Sequence, residues 1–123
     1  MNRLCHIRDI QKAVQQYEES FIRMYGICLN EGMALCSLNQ KKTENTGSTG
    51  TSSGELSRML GLTASNTSKI ISSLEKKGYL SRKIGKGDKR QMFFELTQSG
   101  MKLLEEVEKD ELELPERLKS MHM

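Results

Sequence analysis

Residues Ser52 to Leu96 read SSGELSRMLGLTASNTSKIISSLEKKGYLSRKIGKGDKRQMFFEL, and this stretch decides the fold. Ser52 and Glu55 have the Ser-x-x-Glu spacing of a capping box, which satisfies orphan N–H groups and opens a helix. Leu56 and Leu60 fall on one face of that helix, and Gly61 follows as a stop able to take positive φ. Thr63 then caps a second helix with an apolar stripe of Thr67, Ile70, Ile71 and Leu74, ended by Gly78. Tyr79 and Leu80 return the chain to the core. Ser65, Asn66, Ser68, Lys69, Ser72 and Ser73 lie on the outward face, with no acid before Glu75. A face built for solubility mixes Glu with Lys. Short polar groups beside a lone cation instead offer donors and acceptors suited to base edges and phosphates.

Leu80 to Ile84 and Gln91 to Leu96 read as two short strands around a Gly-rich tip, Gly85-Lys86-Gly87-Asp88-Lys89-Arg90. Arg82, Lys83, Lys86, Lys89 and Arg90 face a single acid there, Asp88. A helix-turn-helix running into a basic hairpin is a winged helix. Its helix suits a major groove and its cationic loop suits the backbone and minor groove.

At these residues the chain resembles the MarR family of multiple-antibiotic-resistance regulators. The resemblance runs from Gly54 to Glu108 and rests on the helix-turn-helix and on the Leu-Glu-Lys-Lys-Gly exit (Leu74 to Gly78). Asp88 and Arg90 supply the Asp-x-Arg of the wing, and Leu96-Thr97 opens the following helix. The likeness implies a homodimer joined through the terminal helices, and often a small-molecule effector.

The whole chain has 123 residues, a net charge of +3 and a pI near 8.8, which fits one domain spanning 1–123 and a polyanionic partner. Charge is unevenly spread: the wing is basic, whereas Glu105 to Glu113 holds six acids and one lysine. An odd cysteine count without framework spacing points to free thiols in a reducing cytoplasm. No apolar leader or membrane-length run occurs, so a cytoplasmic protein without membrane attachment is expected.

Leu4, Ile7, Ile10, Val14, Tyr17, Phe21 and Met24 recur at spacings of three and four. That pattern predicts a long helix whose stripe needs a second helix, and in so short a chain a second subunit, to cover it. Asn30 caps a helix from Glu31 to about Leu38, expected to bury Met33, Leu35 and Leu38. Gln40 to Thr51 reads as a polar excursion. Thr97 caps a helix through Met101, Leu104 and Val107, reaching toward Leu112. Pro115 breaks it, leaving Leu118 and Met121 as the face of a short last helix. Residues 1–39 and 97–123 are thus expected to dimerise, and 52–96 to bind DNA.

Catalysis is not expected. His6 and His122 stand near opposite ends, and Gly85-Lys86-Gly87 is too short for a phosphate loop. Cys5, Cys28 and Cys36 lack metal-ligand spacing, so neither a metal nor a cofactor is expected. The resemblance offers Cys5, beside His6 and Arg8 and on the helix of Tyr17 and Tyr25, as a redox-sensing thiol, against a small apolar residue near a helix start. Cys28 and Cys36 read as packing residues, and Met24, Met33, Met59 and Met101 as core filling.

The expected fold is mainly α with a small antiparallel β wing. The expected function is a DNA-binding repressor relieved by a small molecule and bound to a pseudo-palindrome. Ser65, Asn66, Ser68 and Lys69 would read bases, and Ser72 and Ser73 would meet phosphates. Arg82, Lys83, Lys86, Lys89 and Arg90, with Asp88 orienting Arg90, would hold backbone and minor groove. Two alternatives are a thiol-regulated version acting through Cys5 and a winged helix that docks protein without binding DNA.

Overall fold

A computed structural model of the chain describes residues 3–44, 50–84 and 92–109, with residues 41–44 described in backbone only. The elements are α1 (Arg3–Tyr25), α2 (Leu29–Glu44), β1 (Thr51–Ser52), α3 (Ser53–Leu60), α4 (Ala64–Lys76), β2 (Leu80–Ile84), β3 (Met92–Leu96) and α5 (Gln98–Lys109). Among the described residues two compact units separate, 3–29 and Asn30–Lys109.

In the first unit α1 carries the expected period. Phe21 and Tyr25 are buried and stack edge-on at 4.8 Å, and Ala13 is buried beside Val14, the middle of the stripe. Leu4, Ile7, Val14 and Met24 are exposed. After Gly26 the N–H of Leu29 donates to the Glu18 carboxylate at 3.0 Å. A side chain eleven residues back thus serves the first N–H of α2, which begins at Leu29, ahead of the expected start at Glu31.

The second unit is the winged helix. The α3 capping box forms as expected: the Glu55 N–H donates to Ser52 Oγ, and the Glu55 carboxylate accepts from the Ser52 N–H. Gly61 takes φ 68°, and its N–H reaches back to the carbonyls of Ser57 and Arg58. Ser57 Oγ donates to the Leu62 carbonyl at 2.6 Å, tying the turn to α3. Thr63 Oγ1 accepts from the Asn66 N–H and starts α4. The buried residues of α4 are Thr67, Ile70, Ile71 and Leu74, the stripe read from the sequence. Thr67 is polar yet satisfied, since its hydroxyl donates to the Thr63 carbonyl at 2.8 Å. Leu35, Leu38, Leu56, Leu80, Phe94, Leu103 and Leu104 are the larger buried hydrophobic residues of the rest of this unit.

Several expectations need correction. Helix α2 continues to Glu44, past its expected end near Leu38. Gln40, Lys41, Lys42 and Glu44 are good helix formers, so the backbone stays helical without an apolar face to bury. The sheet has three strands, ordered β1-β3-β2, because Thr51 and Ser52 pair antiparallel with Phe94 and Phe93. Thr51 is buried, although the sequence placed it in a polar loop. Gly50 explains the close approach: its φ is 116°, and a Cβ there would stand 2.9 Å from the Phe94 carbonyl oxygen. Met24, Met33 and Met59 are exposed, not core filling, as is Cys36, read as a packing residue. All four lie on helices whose buried faces are filled by branched and aromatic neighbours.

Helix α5 buries Gly100, Leu103 and Leu104. Thr97 does two jobs at its start. Its hydroxyl donates to the Gly78 carbonyl at 2.6 Å and accepts from the Gly100 N–H at 3.1 Å. Gly100 lies against the Tyr79 backbone so closely that any Cβ there would collide with the Tyr79 carbonyl. The readings at Leu112, Pro115, Leu118 and Met121 lie outside the described residues.

Candidate nucleic-acid interface

Helix α4 presents its polar face because its apolar face is fully used. Ser65, Asn66, Ser68, Lys69 and Ser72 are exposed, as expected. Lys76 is exposed on the same face, although by sequence it belongs to the Leu-Glu-Lys-Lys-Gly exit of the helix. Ser68, Lys69, Ser72, Ser73 and Lys76 line a shallow concave surface.

Ser73 differs. It is half-buried, and its hydroxyl donates to the Glu31 carboxylate at 2.7 Å. Glu31 on α2 is 5% exposed and also accepts from Lys77 Nζ at 3.0 Å on both oxygens. A carboxylate taken out of water needs such partners, and Ser73 and Lys77 supply them at the end of α4. The sequence could not show this: the residues lie more than forty positions apart. The Ser73 hydroxyl is therefore committed within the protein.

The base of the wing differs in the same way. Arg82 makes a two-point contact with Glu75, Nε to Oε2 at 3.2 Å and a terminal nitrogen to Oε1 at 2.7 Å. Its guanidinium also lies 5.4 Å from the centre of the Phe94 ring, on its cross-strand partner residue. Hydrogen bonding to Glu75 and the Glu75 charge raise the Arg82 pKa further above its already high value, so the cation persists at any working pH. Lys83 pairs with Glu95 across the sheet at 2.7 Å. Neither cation stands free. A fork-shaped donor meets a carboxylate wherever the two come within reach, and β2 packs beside the exit of α4. By contrast, no hydrogen bond or ion pair engages the Lys69 or Lys76 ammonium among the described residues.

The strands flanking the wing tip are as expected, β2 pairing with β3 from Leu80↔Leu96 to Ile84↔Met92. Lys86, Asp88, Lys89 and Arg90 lie outside the described residues. Cys5 is exposed on the first turn of α1. Tyr17 and Tyr25 follow on the same helix, about 18 Å and 30 Å along its axis at 1.5 Å per residue. Neither tyrosine of the same chain can therefore assist that thiol. Among the described residues no helix is long and apolar enough to cross a membrane.

Comparison with known proteins agrees with this geometry. Residues 44–91 match the model of the MarR family. The transcriptional repressor MprA of Escherichia coli (strain K12) is 28% identical over 107 residues, 87% of this chain and 57% of that protein. The chain thus spans little more than half the length of this relative. The crystal structure of an S. aureus MepR–DNA complex superposes with a TM-score of 0.72 at 22% identity, covering 85% of this chain and 73% of the other. A probable transcriptional regulator from Pseudomonas aeruginosa superposes with a TM-score of 0.67 at 22% identity, covering 85% and 74%. At such identities the two superpositions establish the fold.

Proposed function

We propose that this chain, a MarR-family winged helix, is a transcriptional regulator that binds double-stranded DNA and represses transcription. The observation that carries the reading is the exposed face of α4. A helix locked into a helix-turn-helix by four buried residues presents Ser65, Asn66, Ser68, Lys69, Ser72 and Lys76, and the acid nearest that face, Glu75, is paired. Side chains on the first turns of such a helix reach base edges, and those further along reach phosphates. Repression is supported by the kinship with MprA, a repressor. Relief by a small molecule and a cytoplasmic location belong to the same reading and rest on the family likeness.

The regulator acts as a homodimer on a pseudo-palindrome. The exposed residues of α1, Leu4, Ile7, Val14 and Met24, support this, because a second copy would remove them from water. Half-sites then lie about one helical turn apart.

Operator selection from a random duplex pool, followed by affinity measurement on the selected and on scrambled sequences, tests the function. A selected palindrome bound far more tightly than the scramble is the expected result. Equal, weak binding to both would reduce the protein to a non-specific DNA binder. No binding at low salt would leave the protein-docking alternative.

A further inference from the structure

Helix α4 is neutralised along its edges and left charged along its middle. At about 100° per residue, Ser65, Lys69, Ser72 and Lys76 fall within an arc of about 60° opposite the buried stripe. Lys69 and Lys76 are about 10.5 Å apart along the axis, close to the roughly 12 Å width of a major groove. Glu75 lies beside that arc, about 100° from Lys76. Left bare, it would repel the same phosphates that the two lysines attract. Arg82 closes on it with two hydrogen bonds and is itself held against Phe94.

We propose that Arg82 serves DNA binding by cancelling Glu75, without touching DNA itself, and that Lys76 is a phosphate-contacting residue of α4. This rests on the reading of α4 as the DNA-binding helix. Arg82 presents both Nε and a terminal nitrogen to the carboxylate, a two-point pair in which the two charges cancel. Lys76, with no partner among the described residues, carries the uncompensated charge.

The test uses the full chain and a labelled mixed-sequence DNA duplex, with affinity followed by fluorescence anisotropy at several potassium chloride concentrations. Melting temperatures are taken in parallel and should move little, since an exposed pair contributes little to folding. Arg82→Gln should weaken binding by exposing Glu75. The double variant Glu75→Gln/Arg82→Gln should return to wild-type affinity and salt dependence, because the pair's net charge is again zero. Glu75→Gln alone should bind as tightly as wild type or tighter. Lys76→Gln should weaken binding and lower the slope of log affinity against log salt by about one.

A double variant as weak as Arg82→Gln, or Glu75→Gln weaker than wild type, would mean that Arg82 contacts DNA, and the inference fails. An Arg82→Gln variant that binds like wild type fails it equally, and an unchanged slope removes Lys76 from the interface. If the wild-type chain shows no salt-dependent binding at all, the reading of function itself has fallen. Should Arg82→Gln not fold, the double variant against wild type still decides between the two roles.

Discussion

Helices α1 and α4 have the same sequence pattern and different fates. Both repeat apolar residues at spacings of three and four. In α4 the stripe Thr67, Ile70, Ile71 and Leu74 is buried by the chain's own core. In α1, 23 residues long, Ala13, Phe21 and Tyr25 are buried, whereas Leu4 is 74% exposed and Ile7 51% exposed. Periodicity tells which face of a helix is apolar and says nothing of what covers it, because the hydrophobic effect is non-directional. A fully paid stripe belongs to a domain; an open one asks for a partner.

Substitutions in the two regions should therefore act differently. Leu74→Ala, in the centre of the covered stripe, should cost about 2–5 kcal/mol in denaturant unfolding. A loss as small as that of a surface change would mean that the α4 core is looser than its burial implies. Gly100→Ala should cost about 1–3 kcal/mol, since α5 must move off the Tyr79 carbonyl to fit a methyl group. Its melting temperature decides the matter, and an unchanged value would show that α5 has room to shift.

Glu31→Gln should cost roughly 1 kcal/mol, because the amide keeps a hydrogen bond to Ser73 but loses the charge-assisted contact with Lys77. The loss should shrink when Lys77→Gln is already present; additive losses in that double-mutant cycle would separate the two residues energetically.

Val14→Glu, on the open stripe, should change the helical circular dichroism of the isolated chain least of all. Its effect should appear in sedimentation, as a shift from dimer to monomer. A folded dimer of unchanged mass would mean that α1 is not the surface that joins two copies.

The winged helix was legible to an unusual depth. Two caps, one stop glycine and the four buried residues of α4 follow from rules that act over a few positions, and the pairing of β2 with β3 follows from a hairpin that joins consecutive strands. The candidate site was legible only in its middle. Ser65, Asn66, Ser68, Lys69 and Ser72 are exposed where a helical wheel puts them, while Ser73, Arg82 and Lys83 are engaged with Glu31, Glu75 and Glu95. A basic residue reads as available until an acid is found within reach, and finding it requires the fold. Lys76 was hidden for the opposite reason. It looked like a helix exit, and gained meaning once its neighbours proved to be spoken for.

Local pattern alone sets where α3 and α4 begin and end, which face of α4 is apolar, and that a short hairpin follows. Those are decided by backbone hydrogen-bond needs and by period, both local quantities. That Thr51 joins the sheet, that Gly50 and Gly100 are required by close backbone approach, and which cations remain uncompensated emerge from the folded arrangement. Such outcomes depend on distances between segments far apart in the chain, and a carboxylate 42 residues away can claim a hydroxyl that the local pattern leaves free.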